Sequence, residues 1–485
     1  MADEWRPDEV ELPTRMAPEG AKGCLWRLLA LLLVVSLLGS AWASLVWLWR
    51  LRQPLPMPTP DNSPVVLVVT PTAVFPTSVP TAAIPTTPLA ETAVPAPNPN
   101  RIDRIVFING DNQIETVAPD GSAVRRLTNG SLSFRFPAWS PDGRYIAAIG
   151  NGRLSSGIYV VADSADPVEP TALYTDNRSS PIYLSWSPDS EQVGFITPGV
   201  GRDLALHLAP ADGASESREL ATGSPFYWRW GGDGSQILFS TSDLVGLLTV
   251  ANGRQEVLAT SGRFQAPDIS PDGRFWAYAT ANRFRRNAQL VLHNTITSER
   301  TTTAHAGLVA MGWSPTANQL AYISPAQESS FFYGALRLLD AESGRSRVLS
   351  DDTVLAFFWS PNGRYLAYIS IPESPADRQQ AASNGRLLGK PVQQHANLRL
   401  NLSLVDVTTD TGLALLQFQP TPLFLNQFLP FFDQYAHSHQ LWSPDSDALV
   451  LPLEENGVAQ IVVVPATGGR VFPLAEGSIA FWSGQ

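Results

Sequence analysis

Trp139-Ser140-Pro141-Asp142-Gly143-Arg144-Tyr145-Ile146-Ala147-Ala148-Ile149 decides the fold, because this stretch returns along the chain. Trp359-Ser360-Pro361-Asn362-Gly363-Arg364-Tyr365-Leu366-Ala367-Tyr368-Ile369 is a near copy, and worn copies start at Trp186, Trp230, Ile269, Trp313, Trp442 and Trp482. A repeat of roughly forty to fifty residues built on short strands indicates a radial or stacked architecture. Within each copy, Ser-Pro-Asp-Gly is turn chemistry: Pro presets φ, Asp tolerates the third position and Gly takes the left-handed site. Such a turn joins two antiparallel strands.

The strand after the turn alternates. Ile146, Val193, Ile237, Trp276, Leu320, Leu366 and Leu449 form one column, and Ala148, Phe195, Phe239, Tyr278, Tyr322, Tyr368 and Leu451 stand two residues on. Residues at i and i+2 share a sheet face. A smaller column between them, with Ala147, Gly194, Ala277, Ala321 and Ala367, makes the other face apolar too. Sheets of this kind pack against neighbours on both sides.

The chain has 485 residues, a net charge of −11 and 44% hydrophobic residues, so it can bury a large core. The acidic balance, with no dense basic run, argues against a nucleic-acid partner. One cysteine, Cys24, excludes an intramolecular disulfide and a multi-cysteine metal site.

Residues 1–23 are polar and Pro-punctuated and read as a short cytoplasmic tail. Residues 24–50 read as a transmembrane helix. Residues 28–49 carry no charge, about 33 Å of helix against a hydrocarbon core of about 30 Å. Trp42, Trp47 and Trp49 gather at the far end as an interfacial belt. Arg15, Lys22 and Arg27 before the run, against Arg50 and Arg52 after it, put the N-terminus inside. The rival readings are a buried soluble helix and a signal peptide cleaved after Ala41-Trp42-Ala43. Residues 51–100, rich in Pro and Thr, read as an extended linker or stalk.

From residue 101 to 485 the copies, among them Ile269-Ser270-Pro271-Asp272-Gly273-Arg274-Phe275-Trp276-Ala277, resemble the repeat of TolB-type, WD-like β-propellers. The resemblance implies an all-β propeller of four-stranded blades; it does not choose among the binding modules, peptidase gates and lyases built on such rings. Gly231-Gly232 in place of Ser-Pro and Thr316-Ala317-Asn318 in place of the Asp-Gly turn are local departures. Counting turns gives eight blades, or seven if the unit at Trp313 is incomplete. Arg104-Ile105-Val106-Phe107-Ile108 fits the strand column left open at Trp482, so residues 104–108 are expected to pair antiparallel with residues 477–482 and close the ring.

The interval from Trp359 to Trp442 is roughly twice the others and holds one extra strand pair, 398–407 with 412–418. The excess forms two insertions, 371–396 and 419–437, both on connections facing away from the Ser-Pro-Asp-Gly turns. The second is strongly apolar. Phe424, Phe428, Phe431 and Phe432 either pack onto the disc, capping the channel, or form a partner-contact surface, which is the role nominated for them.

Catalytic signals are thin: no Gly-x-Ser-x-Gly elbow, phosphate loop or His-Glu-x-x-His occurs. His437-Ser438-His439, near Asp433 and His395, is a weak metal candidate, since His437 and His439 on a strand would share a face. The turn aspartates Asp142, Asp189, Asp233, Asp272 and Asp445 read as turn formers. No cofactor is expected. Two functional readings follow: a membrane-anchored, extracytoplasmic, non-catalytic binding or scaffold module for a protein, peptide or envelope polymer, and a propeller glycan lyase or hydrolase with its site in the central channel.

Overall fold

Each Ser-Pro turn opens a meander. The strands Ser133–Trp139, Tyr145–Asn151, Ser156–Ala162 and Thr171–Asp176 pair in sequence order, all antiparallel. The same four-strand order starts at Tyr183–Trp186, Tyr227–Trp230 and Asp268–Ile269. In this computed structural model the described residues are 103–484, apart from 200, 202, 261–264, 281–288, 306, 326–331 and 373–397. The tail, the expected transmembrane helix, the linker, Cys24, His395 and nearly all of the first insertion lie outside them. Among the described residues, no helix is long and apolar enough to cross a membrane.

The strand that starts at Ala310–Trp313 begins a seven-stranded sheet. Its 14-residue strand Ser346–Trp359 pairs at its start with Gly334–Asp340 and at its end with Tyr365–Ser370. One long strand therefore ends one meander and begins the next. Leu400–Asp406 and Thr411–Phe418 complete that second meander, matching the extra strand pair read from the sequence. A three-stranded sheet follows, Ala448–Glu455, Val458–Pro465 and Phe472–Glu476, with the bridge Trp442↔Leu449 at its inner edge.

The ring closes as the residue pattern requires. Ile105–Ile108 pairs antiparallel with Ile479–Trp482, in register from Ile105↔Trp482 to Ile108↔Ile479. The final strand thus completes a sheet whose other three strands come from the start of the repeat region. Pairing the two ends of the region leaves neither as a free edge. The fold is a β-propeller.

The motif residues have specific tasks. In the Trp139 copy, Ser140 Oγ donates to Asp142 Oδ1 (2.6 Å), which also accepts from Arg144 N (3.0 Å). Gly143 stands at φ 72°, the left-handed region where a Cβ is costly. Asp189 and Asp272 accept from their own Ser and the residue two on in the same way, and Asn362 replaces Asp in the Trp359 copy. At Ser443 the hydroxyl donates instead to Asp447 (2.7 Å). The tryptophan links neighbouring repeats: Trp186, Trp359 and Trp442 donate Nε1–H to the carbonyls of Ala138, Gly312 and Phe358. Each acceptor immediately precedes a motif Trp one repeat back. Both columns after the turn are buried except Trp276, which is half-buried.

Candidate functional site: the axis of the ring

The apolar insertion does not form an outer surface. After Thr421 it coils through a π-helical turn at Phe424–Phe428, a 3-10 turn at Leu429–Phe431 and a short α-helix at Phe432–Tyr435. Its side chains meet the first strands of successive sheets around the ring. Tyr435 stacks on Phe136 (4.9 Å) and meets Tyr183 edge-on (5.2 Å). Phe432 meets Phe357 (5.2 Å) and Phe358 (5.9 Å), and Phe428 meets Phe358 (5.9 Å) and Phe481 (5.4 Å). The segment is an axial plug.

Polar side chains fix it. Gln434 Oε1 accepts from Trp228 N (2.9 Å), while Gln434 Nε2 donates to Trp228 O (2.8 Å) and Tyr183 Oη (3.0 Å). One side-chain amide thus pairs with both backbone groups of an inner-strand residue, as another strand would. Asp433 Oδ2 accepts from Ala266 N (3.1 Å), and Thr421 Oγ1 donates to Ser478 O (2.7 Å). Phe136 takes φ 50°, rare for an aromatic residue, in a bulge between Arg135 and Ala138. That bulge accompanies its stacking on Tyr435 and its edge contact with His439 (6.3 Å).

The nominated contact surface needs correction. Phe424, Phe428 and Phe432 are at most 1% exposed, whereas Phe431 is 44% exposed. The reason is physical: the channel offers these rings an apolar environment, and burying each is worth about 1.5–3 kcal/mol. Phe431 lies instead at an apolar cavity of about 390 Å³ shared with Ile182, Phe226, Tyr227 and Gln427.

The histidines also depart from expectation. They follow the short helix in a turn rather than sharing a strand face. His437 Nδ1 lies 3.9 Å from Asp268 Oδ1, while His439 packs on Phe481 (4.5 Å) and bonds Ser438 Oγ through Nδ1 (2.7 Å). The Asp433 carboxylate, meanwhile, is turned to Ala266 N. Among the described residues no three His, Cys, Asp or Glu side chains are grouped to hold a metal ion.

A second cavity, about 370 Å³, opens on the axis beside the turn prolines Pro271, Pro315 and Pro361. Arg229, Asp268, Asp433 and His437 line it. Arg229 Nε stands 3.2 Å from Asp268 Oδ1, and Asp268 Oδ2 accepts from Trp313 N (2.8 Å), so one carboxylate links three successive sheets. Sequence reading missed Arg229 and Asp268 because both sit in inner strands, where the motif carries no polar signature. Each directly precedes the first residue of its copy, Trp230 or Ile269, a place held in other copies by Ala138, Ser185, Gly312, Phe358 and Leu441. With no residue type recurring there, an Arg in one copy and an Asp in the next carry no signal of a shared site.

Burial sets the protonation of the plug. It raises the Asp433 carboxyl to about 6, against the bonds from Ala266 N and Gln434 N that lower it. It lowers the imidazoles of His437 to about 4 and His439 to about 3, with Asp268 partly opposing at His437. Linkage then fixes the signs. The Asp433 contribution is fully present below about pH 4 and is lost as pH rises through 6. The histidine contributions are present above about pH 6.5 and are lost as pH falls toward 4 and 3. Near pH 5, in the middle of the window from 6 to 4, the unfolded chain holds about two of these protons and the folded chain about one. Stability is therefore expected to fall by about 1.4 kcal/mol per pH unit over that window, and Asp433→Asn to roughly double the slope. Denaturant midpoints measured from pH 7 to 4 check this; a flat profile in both proteins would contradict it.

No protein-family model matches the chain. An uncharacterized protein of Agrobacterium fabrum is 26% identical over 257 residues, spanning 49% of this chain and 84% of its own length. Among solved structures, a putative TolB from Agrobacterium tumefaciens is similar with a TM-score of 0.34 at 20% identity, covering 52% of this chain and 89% of its own. TolB from Acinetobacter baumannii gives 0.36 at 14% identity, with coverages of 70% and 82%. An oligogalacturonate lyase in complex with manganese gives 0.43 at 12%, with coverages of 73% and 86%.

Proposed function

We propose that the chain is a membrane-anchored, extracytoplasmic binding or scaffold module, with residues 28–49 as the anchor, the N-terminus inside and an eight-bladed propeller on a Pro/Thr stalk. The count of eight rests on reading the seven-stranded sheet as two blades sharing Ser346–Trp359, and the bridge at Trp442 as the inner strand of the three-stranded sheet. The partner class is a protein, peptide or envelope polymer. The observation that carries the binding reading is the plug: the chain's own Phe424, Phe428, Phe432 and Tyr435 fill the axis that a threading polymer would occupy.

The anchor is tested by fractionation of the full-length protein. It is expected to sediment with membranes, resist carbonate extraction and keep its original N-terminus. A mature N-terminus at Ser44 contradicts the anchor. The binding role is tested by cross-linking in intact cells, where a saturable partner from the envelope is expected and turnover of envelope glycans is not.

A second reading, a glycan lyase or hydrolase, is favoured by the convergence of Arg229, Asp268, Asp433 and His437 on the turn-side cavity. Glycan cleavage that survives purification and is abolished by Asp433→Asn in a protein of unchanged fold would select it.

A further inference from the structure

We propose that the turn-side axial cavity is a receptor for a carboxylate carried on an apolar body, with Arg229 as the residue that holds the carboxylate. Arg229 projects from the inner strand Tyr227–Trp230. Asp268, on the next inner strand, forms an ion pair with it, Oδ1 lying 3.2 Å from Nε without hydrogen-bond geometry. Asp268 is itself fixed by Ile269 N (2.8 Å) and Trp313 N (2.8 Å), and its side chain is 5% exposed. The guanidinium is thereby oriented, while its side chain remains 35% exposed at the cavity. Its terminal nitrogens make no hydrogen bond to another described residue. A guanidinium held near one carboxylate by an ion pair and open at its fork presents paired donors that match a second carboxylate.

A second group points the same way. His437 lines the cavity with a side chain only 9% exposed, and its Nε2 has no hydrogen-bond partner among the described residues. Burial keeps this imidazole neutral at physiological pH, so it adds no charge and remains a hydrogen-bonding group. The Arg229–Asp268 pair is neutral as a whole and Asp433 lines the same cavity, so the ligand's carboxylate is held by the donors of the Arg229 fork and not by an excess of positive charge. Asp433, the other carboxylate of the cavity, is turned to Ala266 N, and His439 to Ser438 Oγ. Part of the wall suits an apolar body, with Met311, Trp313, Phe358, Trp359 and Leu441, beside the polar Ser314, Gln440 and Ser483. A volume of about 370 Å³ falls within the range of small-molecule sites.

This inference rests on the binding reading but can fail without it, because envelope cross-linking reports partners seated anywhere on the ring. Two sources share the chemistry: a free aryl or alkyl carboxylic acid, and the C-terminal carboxylate of a partner chain ending in an apolar residue. The test is titration of the full-length protein at pH 7 with phenylacetate, phenylacetamide, inorganic phosphate, and the tripeptide Gly-Gly-Phe as free acid and as amide, read by tryptophan fluorescence and calorimetry. Saturable binding of either acid, at least tenfold tighter than its amide and than phosphate, is the expected result; preference for the tripeptide acid over phenylacetate assigns the partner-chain source, and the reverse assigns the free acid. Arg229→Gln is expected to weaken it at least tenfold and Arg229→Lys several-fold, with melting followed in both. If Arg229→Gln does not fold, the acid-versus-amide ratio on the wild-type protein decides. Equal binding of acid and amide, phosphate binding as tight as the acids, no binding of either acid, or undiminished affinity in a folded Arg229→Gln each overturns the proposal.

Discussion

Phe428→Ala is expected to lower the unfolding free energy by about 3–5 kcal/mol, the range for removing a fully buried aromatic ring from a packed core. Phe428 is 0% exposed and is the hub of the plug. It stacks on Phe424 at 5.0 Å, lies 5.2 Å from Tyr435, and meets Phe358 and Phe481 from two inner strands. Two aromatic neighbours within the plug and two from separate inner strands cannot all collapse into one gap, so the cavity term is retained. Phe431→Ala in the same segment is expected to cost less than about 1 kcal/mol, because that ring is 44% exposed. Equilibrium denaturation of the two variants separates a plug from a surface loop. Similar small losses in both would place the segment outside the core.

Gln434→Leu is the second large effect, expected to cost about 2–4 kcal/mol although the side-chain volume hardly changes, because an unpaired buried donor or acceptor costs about 1–3 kcal/mol. The amide satisfies Trp228 N, Trp228 O and Tyr183 Oη, all buried, and an apolar replacement strands those groups. Tyr183 Oη keeps its contacts with Gln434 O (3.0 Å) and Ser438 Oγ (2.9 Å), so the loss falls mainly on Trp228. Gln434→Glu retains the acceptor but loses the donor, and buries a charge. It is expected to be at least as damaging at pH 8 and milder at pH 5, where the carboxyl can hold a proton. An unchanged denaturation midpoint for Gln434→Leu would mean that the amide bonds are not formed in solution.

The repeat made the ring legible because its signal is local. Ser140, Asp142 and Gly143 specify a turn by their own bonding and φ, and Ile146 and Ala148 specify a strand by alternation. Closure was readable because residues 105–108 fit the strand column that the motif copy at Trp482 requires, and Ile105–Ile108 pairs with Ile479–Trp482. The plug was legible only as an alternative. An apolar run such as Phe424–Phe432 declares that it needs burial, but not whether the buried partner is its own ring or another chain. Capping was one of the two outcomes the composition allowed; the nominated surface was the other, and burial of Phe424, Phe428 and Phe432 decides against it.

The axial polar groups were hidden for a different reason. Arg229 and Asp268 are distant in sequence, come from separate repeats, and meet only because successive inner strands converge on the axis. His437 and His439 were visible as a pair, yet the chain turns after Tyr435 and gives them different neighbours, Asp268 for one and Phe481 for the other. Spacing on a strand is informative only where there is a strand.

Hydrogen exchange along residues 421–439 tests most directly whether the chain seals its own axis. The amides of Leu425, Ala436, Ser438 and His439 donate within the segment, to Thr421, Phe432 and Tyr435 carbonyls, and most of the aromatic rings around them are buried. A plug that unfolds only with the ring is expected to exchange as slowly as the inner strands Ser133–Trp139 and Ile479–Trp482, over hours at neutral pH. Exchange of 421–439 within seconds, while those strands stay protected, would mean that the axis opens in the native state and that the sealed-channel basis of the binding reading is wrong.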